Sequence, residues 1–117
     1  MIKKINQNRK LRRKRRISSN LVGTSERPRI AVFRSNRYTL AQAIDDQKRV
    51  TIAAFSSQSL TEKNLKKTQA ARKTGQTLGK ILLEKKIKQA IFDRSIYAYK
   101  GRVKELAEGL REAGIKI

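Results

Sequence analysis

The chain has no cysteine and no histidine. Without cysteine there are no disulfides and no thiolate metal sites. Without histidine, Ser-His-Asp and Cys-His catalysis and the usual imidazole metal sites are also excluded. Acids are scarce: Asp and Glu number 9 against 30 Lys and Arg in 117 residues, a net charge of +21. None of the acids precedes Glu26. A charge this large repels itself unless a polyanion neutralises it. Nucleic acid is the leading partner class and an acidic membrane surface the second. No apolar run is long enough to span a bilayer, and the N-terminus does not read as a secretory signal. The length suits one domain with a modest core.

What is present begins with cations. From Arg9 to Arg16 every residue except Leu11 is basic. No apolar periodicity supports a core-packing helix there, so the stretch reads as a flexible arm that orders on a polyanion. A localisation or transit peptide, also Arg-rich and acid-poor, is the competing reading. Gly23-Thr24-Ser25-Glu26 has turn chemistry and marks a boundary, giving an arm over residues 1–23 and a single α/β domain over 24–117.

The domain opens with a hairpin. Ile30-Ala31-Val32-Phe33 is an apolar run of strand length after Pro28, the one proline. Arg34-Ser35-Asn36-Arg37 forms the turn, and Tyr38 to Ile44 runs back with alternating sides. The turn sets two guanidinium groups, an amide and a hydroxyl beside an aromatic ring. That suits RNA, which offers phosphates, base edges and rings for stacking. The bland alternative is a solvated basic turn. Arg49 to Phe55 reads as a third strand in an antiparallel meander, with strict alternation of its two faces.

Ser59-Leu60-Thr61-Glu62 fits a capping box, so a helix is expected from there to about Lys86. Ala71, Gly75, Leu78 and Leu82 give it one apolar stripe, and the small Gly75 and Gly79 suggest close approach to the sheet. Gln89 to Asp93 reads as a short strand. Reached through a helical crossover, it should lie parallel to the first strand. Arg94 to Gly101 is a loop in which Tyr97 and Tyr99 alternate with cations, again suited to RNA, and it follows the carboxyl end of a parallel strand, where ligand sites collect. The alternative for the tyrosines is one core residue and one surface residue. A last helix, Gly101 to Ala113, carries Val103, Leu106, Ala107, Leu110 and Ala113 on one face. Gly114 ends it, and Ile115 to Ile117 could add a short edge strand.

These segments resemble, in order, the large-subunit ribosomal protein family eighteen in its bacterial and organellar form, which binds 5S rRNA. The resemblance rests on the basic arm, GTSERPRIAVFRSNRYTLAQAIDD, TGQTLGKILLEK and FDRSIYAYKGRVKELAEGLREAGIKI. In the loop after FDR, Ile96 and Lys100 stand where the family usually has glycine and histidine. The resemblance implies a ribonuclease H-like mixed sheet of four to five strands, order 3-2-1-4-5, packed with two helices. It implies RNA contacts by Arg9, Lys10, Arg12, Arg13, Arg15 and Arg16 in the arm, by Arg27 and Arg29 where the hairpin begins, and by Arg34, Ser35, Asn36 and Arg37 at its turn. Tyr97, Lys100 and Arg102 complete the implied set. The implied partners are 5S rRNA, large-subunit rRNA and neighbouring ribosomal proteins at the central protuberance, with no cofactor, no metal and no catalysis. The ribosome would be that of a bacterial cytoplasm or a plastid.

Two other classes are weighed against this one. A Mg²⁺-dependent nuclease would use Asp93 with a carboxylate on a neighbouring strand, yet Arg29 to Arg34 contains no acid. A general nucleic-acid compaction protein would explain the charge, but neither the ordered core nor the hairpin turn.

Overall fold

The computed structural model describes residues 21–61, 64–94 and 97–117. Strands β1 (Arg29–Arg34), β2 (Thr39–Asp45) and β3 (Val50–Ser56) form the expected meander, and a single 3-10 turn follows at Ser57–Ser59. Helix α1 (Lys67–Glu84), strand β4 (Ile91–Asp93) and helix α2 (Arg102–Ala113) complete the chain. The sheet order is β3-β2-β1-β4. β4 lies parallel to β1, with Ile30 beside Phe92. The fifth strand is reduced to one parallel bridge between Gln89 and Lys116, which continues the expected order beyond β4.

Alternation along the strands builds one core. Ile30 and Val32 of β1 share a face with Ala41 and Ala43 of β2, and all are fully buried. Leu78 and Leu82 of α1 and Val103, Leu106 and Leu110 of α2 pack against them in a single cluster. The opposite sheet face carries Ala31, Phe33, Leu40, Gln42 and Ile44, and neither helix covers it.

Three expectations need correction. Helix α1 begins at Lys67 and not at the Ser59 box. The Ser56 hydroxyl instead accepts from the Gln58 N–H and starts the 3-10 turn. The Gln69 side chain reaches back to the Lys66 N–H at 3.1 Å, supplying the reciprocal half of a cap where the helix does begin. Secondly, β3 does not alternate strictly. A bulge between Ala43 and Ile44 of β2 and their partners Ala53 and Thr51 leaves Ile52 as the extra residue, so Ile52 and Ala53 both pack on the core.

The third correction concerns the glycines of α1, which serve the helix pair. A Cβ at Gly75 would stand 2.2 Å from the Leu106 carbonyl oxygen, and one at Gly109 would stand 2.2 Å from that of Arg72. The contact is reciprocal: each helix gives up a side chain so that the other's backbone can touch it. A Cβ at Gly79 would likewise collide with that of Ala113, at 2.5 Å. Polar side chains rim this contact. Arg72 bridges Glu105, at 2.8 Å, and Glu112.

Both helices stop in the same way. After α1, Lys86 adopts φ 64°, the Lys86 N–H donates to the Leu83 carbonyl, and the Ile87 N–H reaches back to that of Leu82. After α2, Gly114 adopts φ 108°, with matching bonds from Gly114 to Arg111 and from Ile115 to Leu110. In each motif the residue after the left-handed position (Ile87 or Ile115) is buried in the same cluster as the Leu it bonds.

The segment before β1 is fastened by charge. Arg29 donates through Nε and Nη2 to both carboxylate oxygens of Asp46, at 3.0 Å, and through Nη1 to Asp93 at 2.8 Å. The Gly23 N–H donates to the same Asp46 carboxylate, and the Asp46 N–H returns a bond to the Gly23 carbonyl. Asp46 is held below its ordinary value of 3.8, first by the Arg29 hydrogen bond and then by the Gly23 N–H, against the opposing effect of burial. The Arg29 guanidinium is correspondingly raised, first by Asp46.

Two predictions follow from these geometries. Lys86→Gly relieves a left-handed residue that carries a Cβ, while costing some unfolded-chain entropy. It should stabilise the domain by about 0.5–1 kcal/mol, read as a higher urea midpoint at unchanged m. Asp46→Asn should cost about 1–2 kcal/mol at neutral pH, because one charged partner of a half-buried arginine is lost. Since the folded pKa of Asp46 is depressed, its contribution is present above the ordinary carboxylate range and disappears as pH falls through the folded value. The stability gap between wild type and Asp46→Asn should therefore be constant from pH 7 down to about 5 and narrow below about 4. Urea titrations across that range check it.

Candidate nucleic-acid interface

β1 and β4 run parallel, so their carboxyl ends lie at the same end of the sheet. The hairpin turn follows β1, and the tyrosine loop follows β4. Two segments some sixty residues apart in sequence therefore meet. The Arg102 Nη1 donates to the Ser35 carbonyl at 2.8 Å. The Arg34 backbone N–H donates to the Tyr97 hydroxyl at 3.3 Å, and the Arg34 guanidinium lies over the Tyr97 ring, 5.3 Å from its centre. The first turn of α2 and the loop before it thus hold the hairpin tip from one side.

Ser35 closes the turn itself. The Ser35 N–H donates to the Tyr38 carbonyl at 2.9 Å, and the Ser35 hydroxyl accepts from the Tyr38 N–H at 3.1 Å. Asn36 takes no part in this closure: it is exposed, and φ is not positive there. Arg34, Arg37 and Lys100 are also exposed. Among the described residues no carboxylate lies within ion-pair distance of Arg34, Arg37, Lys100 or Arg102. Arg102 holds its proton less tightly than a free guanidinium, first because of burial and then because of the Arg34 charge beside it. The cluster is a set of like charges gathered by the fold, with no ion-paired acid among the described residues.

Of the other implied contacts, Arg9, Lys10, Arg12, Arg13, Arg15 and Arg16 lie outside the described residues. Arg27 is exposed, and its N–H caps a small turn by donating to the Thr24 hydroxyl. Arg29 is committed to Asp46 and Asp93. The two tyrosines divide. Tyr97 is half-buried against the core, whereas Tyr99 is exposed and stands edge-on to Phe92 at 6.1 Å, with Arg111 donating to its hydroxyl. Asp93, the carboxylate that a nuclease would need, is buried against Arg29. Among the described residues no group of three potential metal ligands is close enough to hold an ion, and no helix is long and apolar enough to cross a membrane.

Sequence reasoning missed two features. The Arg102 bond to Ser35 joins residues whose proximity only the sheet order reveals. Phe33 is the other: it ends an apolar run that reads as core, yet it is 44% exposed. The signal was available in the alternation, since Phe33 shares its side with Ala31 and not with Ile30 and Val32.

Comparison with known proteins identifies the family. Residues 4–117 match the family model described as ribosomal L18 of archaea, bacteria, mitochondria and chloroplast. The large ribosomal subunit protein uL18 of Finegoldia magna is 45% identical over 119 residues, covering 99% of both chains. Those of Clostridioides difficile and Staphylococcus aureus are each 46% identical at the same coverage. With a fold, a basic composition and a full-length match that coincide, the chain belongs to the L18 family of large-subunit ribosomal proteins.

Proposed function

We propose that this chain binds 5S rRNA and helps attach it to the large-subunit rRNA at the central protuberance, acting as a structural component and not as an enzyme. The observation that carries the reading is the convergence of Arg34, Ser35, Asn36, Arg37, Tyr97, Lys100 and Arg102 at one end of the sheet, with no carboxylate among the described residues paired to its cations. In this reading the arm over residues 1–23, with Arg9, Lys10, Arg12, Arg13, Arg15 and Arg16, supplies phosphate contacts that every RNA can satisfy. Arg27 adds another where the hairpin begins. Arg29 works indirectly, by fastening the root of the arm to the sheet. Partners beyond RNA are neighbouring large-subunit proteins, and the setting is the ribosome of a bacterial cytoplasm or an organelle.

The turn supplies selectivity. Its geometry is set before RNA arrives, because Ser35 closes it and Arg102 braces it. Asn36 keeps its amide donor and acceptor turned to the outside, able to pair with a base edge or a 2′-hydroxyl. A compaction protein would need the charge alone and no such bracing.

The test is competition between 5S rRNA and tRNA. Wild type should prefer 5S rRNA, and Asn36→Ala should lose several-fold of that preference with its urea midpoint unchanged, about 1 kcal/mol of binding. Equal affinity of the wild type for both RNAs would end the 5S reading. An Asn36→Ala protein with the wild-type ratio would remove Asn36 from readout.

A further inference from the structure

The two helices end in the same backbone motif but fill its left-handed position differently. After α2 the residue is Gly114, to which a positive φ costs little. After α1 it is Lys86, whose Cβ is strained at φ 64°. The backbone cannot swing out of this conformation, because the Lys86 and Ile87 N–H groups are both bonded back to the helix at 2.9 Å and Ile87 is buried. A side chain kept at a strained position where glycine would serve the fold points to a role outside folding. Lys86 has company there. Lys85, Lys86 and Lys88 are all exposed, and all line a cleft of about 470 Å³ that Ser25 and Glu26 also line. The Lys116 N–H donates to the Lys88 carbonyl at 2.9 Å, so a fourth exposed lysine lies alongside. Among the described residues no carboxylate, Glu26 included, is within ion-pair distance of any of the four.

We infer that Lys85, Lys86 and Lys88 hold the phosphate backbone of a second RNA segment, so that the chain bridges two stretches of rRNA from opposite ends of its sheet. The inference rests on the RNA-binding reading of the hairpin tip and adds to it a second site with three residues. Position separates the two. The lysine cleft precedes β4, at the amino ends of the parallel pair, where the Ile91 N–H donates to the Pro28 carbonyl. The hairpin tip follows the carboxyl end of β1, six residues or about 20 Å away. Lysines also suit the negative end of a helix dipole, but that effect needs no lysine at the one strained position. Charge selects the occupant: ammonium groups without paired acids take phosphates, and they do so as point charges that read no sequence. The selective tip and the sequence-blind cleft therefore have different tasks, the first to choose an RNA and the second to fasten it to another.

The strain at Lys86 makes the test direct. Lys86→Gly should raise the urea midpoint, yet weaken the joining of the chain–5S rRNA complex to purified large-subunit rRNA. The slope of log affinity against log salt should fall by about one for this variant and by about three for Lys85→Gln/Lys86→Gly/Lys88→Gln. Affinity of both variants for 5S rRNA alone should stay that of wild type. Because Lys86→Gly is the more stable protein, misfolding does not explain its loss. Amine acetylation read by mass spectrometry locates the contact. Lys85, Lys86 and Lys88 should react equally in the free chain and in its 5S rRNA complex, and be protected in assembled large subunits, where formaldehyde should link them to ribonucleotides. An unchanged salt slope in the triple variant, protection by 5S rRNA alone, no protection in subunits, or links to another protein's peptides would each overturn the second site. A failure of the 5S reading shows elsewhere, in the competition with tRNA, and leaves the footprint in large subunits to decide this inference by itself.

Discussion

Like-charge repulsion is the constraint around which this chain is built. With 30 basic residues and 9 acidic ones, most cations cannot have a partner within the molecule. The acids are placed where architecture needs them. Asp46 and Asp93 hold Arg29 and so fix the segment before β1, and Glu105 and Glu112 hold Arg72 across the helix pair. Glu108 holds Arg111, and Asp45 accepts from the Gln47 and Lys48 N–H groups to form the β2–β3 turn. Among the described residues the hairpin tip receives none of them. The acids therefore stiffen the fold at one end and along the helices, leaving concentrated positive charge at the other end, where only a polyanion can relieve it.

Relief by RNA is useful only if the charges are held in register, and here backbone geometry does the holding. The parallel pairing of β4 with β1 delivers the tyrosine loop to the hairpin turn. The touching backbones at Gly75 and Gly109 then lock α2 against α1. Arg102, at the first turn of α2, carries that rigidity to the Ser35 carbonyl. The tip is thus braced from the helix layer although it is a surface turn, which lowers the ordering cost when RNA binds.

Much of this was legible in the residues. Alternation and turn chemistry gave the meander, and the helical stripes at Leu78 and Leu82 and at Leu106 and Leu110 gave the helix layer. The crossover rule gave the parallel strand. What was not legible depended on contacts between distant segments. The Ser59 box satisfies the local rule for a helix start, but the chain uses this stretch to leave the edge strand, and α1 begins only at Lys67. Gly75 signalled close approach, expected to be to the sheet, but what it meets is the backbone at Leu106, which lies on the other helix. The resemblance implies an RNA contact at Arg29, and nothing local shows that Asp46 and Asp93 converge on it. Phe33 looked like core, because an apolar run does not show which sheet face lacks a helix.

The most direct measurement is amide hydrogen exchange on the full chain with and without 5S rRNA. The account predicts that RNA slows exchange at the backbone N–H groups of Asn36, Arg37, Tyr99 and Lys100, which have no sheet or helix ladder to protect them. It predicts no change on the outer face of α1 at the exposed Lys67 and Lys80. Slowed exchange on that helix face, with the hairpin turn and the tyrosine loop unaffected, would contradict it.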